Sequence, residues 1–234
     1  MNRNHIINKA LNLTHQEVKR KVAIHEAGHA AAIYLGNKQK KLPAVFFQIF
    51  ITLVNGDFQS SQFLSKPNTT YVANIEGGRL IHTLPYSIEE AINGFSSAQI
   101  IAYQQAFEAD MINLLVGPLA EAIYMTQQDG ELINSRNLHL NALNYFGGTS
   151  DLECINEYLE CFHPNSELRK QKITELFSAA SSFVNETSNW RAITALADFI
   201  LNEDKSVIDC NEIISVLETA NHVLDFDQAE HGSF

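Results

Sequence analysis

Lys21-Val22-Ala23-Ile24-His25-Glu26-Ala27-Gly28-His29-Ala30-Ala31 is the stretch on which the fold turns, and it lies inside a helical pattern running from Thr14 to Leu35. Thr14 and Glu17 have the spacing of a capping box, and Gly36 follows as a C-terminal stop. Histidines four residues apart share one helix face, about 5–6 Å apart at Cβ, near enough to hold one metal ion together. Glu26 is rotated off that face by one residue, so its carboxylate can reach a water on the same ion without taking a ligand position. H-E-x-x-H helices divide their labour in this way, with two ligands and one general base. Apolar or small residues (Ala23, Ile24, Ala27, Ala30, Ala31) surround the pair. Imidazoles in such surroundings are costly unless something satisfies them, and a metal does so.

Outward from this helix, residues 37–41 read as a solvated loop. Phe47, Ile49, Ile51 and Leu53 alternate with their neighbours as in a strand, and Asn55-Gly56 is a hairpin signal with Phe58 to Phe63 as the return strand. A second pair, Tyr71 to Ile75 and Arg79 to Leu84, is expected through Gly77-Gly78 and ends at Pro85. Beyond it the chain reads as helical. Ser87 and Glu90 open a short helix that Gly94 breaks, and an apolar periodicity runs from Ile100 to Ile123 with a kink or split at Gly117-Pro118. Residues 127–145 are mixed. Ser150 and Glu153 cap a helix ending near His163-Pro164, followed by helices over 165–186, 188–202 and 209–223. The expected class is α+β, mostly helical, with a small antiparallel sheet and a C-terminal helical bundle. We expect one domain over 1–234, with a front part at 14–145 and a helical part at 146–224.

The 234 residues are 45% hydrophobic and 18% charged, enough to bury a core, which excludes a disordered chain. A formal charge of −11 argues against nucleic acid or an anionic membrane as the main partner, because both need a basic footprint. Residues 42–54 form the most apolar run and are too short to span a bilayer. With no apolar leader in residues 1–15 and three unpaired-looking cysteines (Cys154, Cys161, Cys210), the expected location is cytoplasmic. No phosphate-loop motif occurs, so no ATP site is expected in this chain.

A hydrolytic metal needs a third protein ligand and an open position. Ala32 and Leu35 stand where a metzincin carries Gly and His, which excludes that class. Glu89, Glu90 and Glu121 are conceivable third ligands. His82 and His139 read as ordinary solvated or hydrogen-bonded histidines.

Lys21 to Ala30 closely resembles the zinc helix of the FtsH-type peptidase domain of ATP-dependent membrane proteases, and further matches follow in order. Gly78-Arg79-Leu80-Ile81-His82-Thr83-Leu84-Pro85 resembles that family's Gly-Tyr-Thr…Leu-Pro strand. Leu114-Leu115-Val116-Gly117-Pro118-Leu119-Ala120-Glu121 is similar to its Leu-Leu-Gly-Gly-Arg-Ala-Ala-Glu helix. Gly147-Gly148-Thr149-Ser150-Asp151-Leu152-Glu153 resembles the segment that carries the family's third zinc ligand, and Val207 to Ile214 follows its last helix entry. The likeness covers roughly residues 14–222.

This resemblance implies a zinc ion (Zn2+) held by His25, His29 and Asp151, with Glu26 as catalytic base. The activity implied is that of a zinc metalloendopeptidase cleaving extended or unfolded polypeptides, without an attached unfoldase. Pro118-Leu119 and the enlarged 38–76 region depart from the family pattern. The alternative is a non-catalytic, zinc-stabilised module that binds peptides or partners; the intact Glu26 speaks against it. Because the family's peptidase domains assemble as rings, a homo-oligomer or a separate ATPase partner stays open.

Overall fold

A computed structural model describes residues 15–55, 69–128 and 138–222. The sequence's first helix, α1, spans His15–Ala31 and continues through a π turn, Ala32–Gly36, into a last turn at Asn37–Gln39. Every residue from 23 to 33 is buried. Such an all-round burial marks a central helix rather than an amphipathic one at the surface. Two strands follow, β1 at Phe47–Asn55 and β2 at Thr69–Gly77, then a short α2 at Ile88–Ala91 and the long α3 at Ser97–Gln128. A 3-10 turn at Leu140–Tyr145 leads into α4 at Thr149–Phe162, α5 at Ser166–Asn185 and α6 at Thr187–Asn202. The described residues end with β3 at Val207–Ile208 and α7 at Cys210–His222. The class is α+β and mostly helical, with one antiparallel sheet in the order β2-β1-β3.

Helix α1 packs chiefly on α3 and α6 and also touches β2. In the sheet Phe47 pairs with Gly77 and Ile49 with Ile75, while Ile208 pairs with Ile49 from the opposite side. Phe47, Ile49 and Ala73 turn into the core. Among the described residues β2 is therefore an edge strand, and the amide of Ile75 on its free side faces α1.

Several expectations are corrected. The partner of β1 is β2, and the expected return strand at 58–63 lies outside the described residues, as does Thr14 of the first capping box. Residues 79–84 form no strand. The amides of Leu80 and Ile81 donate instead to the two carboxylate oxygens of Asp110 on α3, at 2.9 and 2.8 Å. Tyr158 of α4 donates its hydroxyl to the same group at 3.0 Å. A buried carboxylate has taken the place of a neighbouring strand. Helix α3 is also continuous through Gly117-Pro118, which excludes the split there. Helix α4 starts at Thr149 with no side-chain cap, whereas Ser87 accepts from the Glu90 amide as expected. Asp209 and Glu212 close a full reciprocal capping box on α7.

Asp110 is nearly inaccessible (2%), and burial pushes its carboxyl up against the three donors that hold it ionised. Truncating it strands those donors, at about 1–3 kcal/mol for each one that stays buried. Asp110→Ala is accordingly expected to lower unfolding stability by about 3 kcal/mol, read from urea denaturation; a loss below about 1 kcal/mol contradicts this role.

Candidate metal centre

His25 and His29 lie in the most buried part of α1, and their positions are fixed by what their Nδ1 atoms meet on α3. His29 Nδ1 lies 2.8 Å from the carbonyl oxygen of Asn113. A carbonyl only accepts, so this nitrogen carries the proton and donates. His25 Nδ1 lies 3.0 Å from Oε2 of Glu121, whose other oxygen pairs with Lys21 Nζ at 3.0 Å. In both rings Nδ1 is thereby the donor, which leaves Nε2 as the nitrogen that meets a metal ion or a second proton.

Those two Nε2 atoms face each other at 3.0 Å. Asp151, in the first turn of α4, brings its oxygens to 3.4 Å from each of them. Lone pairs thus converge from three sides on one point. A tetrahedral zinc with ligands at about 2.0–2.1 Å holds neighbouring ligand atoms about 3.3–3.4 Å apart; the two spacings to Asp151 match this, and the histidine pair at 3.0 Å is somewhat closer. His25, His29 and Asp151 are all buried, and together they could hold a metal.

Charge points the same way. Glu26, Glu121 and Asp151 are three buried carboxylates around the two histidines, with Lys21 as the cation paired to Glu121, so with both imidazoles neutral the group carries two surplus negative charges. A divalent ion balances that sum to zero. Burial alone would lower the His25 imidazolium, but hydrogen bonds to Asp151 and Glu121 and the charge of Glu26 push it up to about 10. Asp151 resists the upward push of its burial and is held below the usual carboxylate range by the two histidines.

Glu26 stands beside this group without joining it. Its Oε2 accepts the amide of Ile75, on the free edge of β2, at 2.9 Å. Burial raises its carboxyl, opposed by the two histidines and that amide. All four residues line a cleft of ≈ 320 Å³.

Two glycines make room. A Cβ on Gly117 would fall 2.3 Å from His29 Nε2, and one on Gly147 would meet both His25 Nδ1 and the Glu121 carboxylate at about 3.0–3.1 Å. Gly147 also has φ +72, where side chains are strained. Glu121, expected as a possible ligand, instead orients a ligand. Glu89 and Glu90 lie exposed on α2, and His82 and His139 are exposed as well, outside the cleft lining. The Asn113 carbonyl and the glycine cradle were missed. A backbone acceptor leaves no trace in side-chain identity, although Gly117, four residues before Glu121 on the same helix, was a signal of close approach.

The chain matches no protein-family model and no curated protein sequence. Among the described residues, no helix is long and apolar enough to cross a membrane.

His25 must give up its proton to bind a cation, and that proton is held to about pH 10. Metal uptake near neutral pH should therefore release about one proton per ion, with apparent affinity rising as pH rises toward that value. Calorimetric titration in buffers of different ionisation heat measures the release; none at all contradicts the arrangement.

Proposed function

We propose that this chain is a zinc-dependent peptidase of the FtsH-type kind its sequence resembles, cleaving extended or unfolded polypeptides. The observation that carries the reading is the division between three converging ligands and a neighbouring carboxylate held apart from them. A purely structural zinc is normally closed by four protein ligands. Among the described residues three groups converge, and the position beside them opens on a cleft holding Glu26.

The bound ion would supply Lewis-acid polarisation of a water and of the scissile carbonyl. The remaining work falls to the chain. Glu26, with its carboxyl raised by burial, takes up the proton of the attacking water and later delivers it to the leaving amine nitrogen. Ile75 holds that carboxylate by its amide. Glu121 and Asn113 keep the imidazoles in their binding tautomer.

Substrate would add to the free edge of β2 as a further strand, since that edge runs past Glu26 into the cleft. The docking edge is thus β2 at 69–77. An edge of this kind selects for extended chain, which is why unfolded segments and peptides are the substrate class.

Glu26→Gln keeps the ligand set and removes the base. It should retain bound metal while peptide cleavage falls by about 10²–10⁴-fold, measured with casein or quenched fluorescent peptides. Cleavage by Glu26→Gln at the wild-type rate contradicts the assignment. Wild-type protein that holds zinc and cleaves nothing would favour a non-catalytic binding module.

A further inference from the structure

Four arginines fall in the described residues, and three of them bond oxygen. Arg20 pairs with Asp198, Arg169 donates to the carbonyls of His163 and Pro164, and Arg191 donates to those of Ala220 and Asn221. Arg79 is the exception. Its Nη2 reaches only the thiol of Cys154, at 3.7 Å, and no carboxylate stands within ion-pair distance of it among the described residues.

Arg79 lines the candidate metal cleft, where it is the sole lysine or arginine among the described lining residues. Its place relative to the ligands follows from helix geometry. Cys154 sits three residues after Asp151 on α4, a rise of about 4.5 Å along the axis. A group touching Cys154 is therefore about one side chain away from the metal ligands. The nearby Asp110 already accepts from the Leu80 and Ile81 amides and from Tyr158, so it acts on the arginine through space without bonding it. The loop carrying Arg79 leaves β2 directly at Gly77-Gly78, and it is anchored by those same Asp110 bonds. The cation is thus presented on a fixed backbone at the end of the strand proposed to dock substrate.

A planar guanidinium with unused donors is shaped to grip a carboxylate by two parallel hydrogen bonds. With a divalent ion balancing Glu26, Glu121 and Asp151 against Lys21, the ligand end of the cleft does not repel an anion. We propose that Arg79 is a specificity-determining residue that selects polypeptides carrying a carboxylate close to the scissile bond, from either an acidic side chain or a free C-terminus. The inference rests on the peptidase reading for the term scissile bond, but the binding preference stands without turnover.

The test uses zinc-loaded protein carrying Glu26→Gln, so that peptides bind without being consumed. Labelled hexapeptides, N-acetylated and C-amidated, carry a single Glu or Gln walked through successive positions. A neutral peptide ending in a free acid or an amide forms the second arm. Fluorescence anisotropy should show the acid bound about tenfold more tightly than its amide at one position or at the terminus, the arm that responds naming the source. Adding Arg79→Gln should bring that ratio close to one, while Arg79→Lys should keep part of it. A merely structural arginine would weaken both members of each pair alike and leave the ratio intact. The proposal is overturned by a ratio near one throughout, by a ratio that survives Arg79→Gln, or by no binding of any peptide. Acidic peptides that bind with the expected preference but resist the wild-type protein would overturn the hydrolase and leave this inference standing.

Discussion

Two hydrogen bonds from the central helix to α3 govern the centre of this molecule. Asn113 takes the Nδ1 proton of His29 and Glu121 takes that of His25, which turns two bare Nε2 atoms toward each other at 3.0 Å. Neutral imidazoles do not hold their lone pairs in such opposition in a dry interior without a positive charge between them. A proton or a metal ion can answer that demand. The additional approach of Asp151, and the surplus of buried carboxylates over Lys21, favour a divalent ion.

The surrounding fold serves that demand. α3 supplies both orienting acceptors and, at Gly117, the space for an imidazole. α4 supplies the carboxylate after a glycine turn that lets it approach His25. β2 supplies the amide that holds Glu26 off the ligand group. Three elements distant in sequence thus meet on one buried helix, and Asp110 ties the loop after β2 to α3 and α4 so that the cleft keeps its shape.

Legibility in the sequence followed how local each determinant is. The H-E-x-x-H helix was readable because helical periodicity alone puts His25 and His29 on one face. The capping residue Ser87 was readable for the same reason, since its partner stands three residues away. Asp151 lies 122 residues beyond His29, and only the family resemblance pointed to it; the structure brings its oxygens to both histidines. Glu121 was visible as a candidate, but its role depends on which imidazole nitrogen it meets. The strand expected at 79–84 failed because alternation says nothing about a carboxylate from another helix capturing the amides. The continuous α3 defied Pro118 because its packing against a central helix outweighs one lost backbone hydrogen bond.

The most direct measurement is metal stoichiometry by elemental mass spectrometry, on untagged protein purified without chelators. One zinc per chain is the result the converging ligands predict. Protein that carries no zinc, and takes up none when zinc is added, would contradict a metal centre at His25, His29 and Asp151.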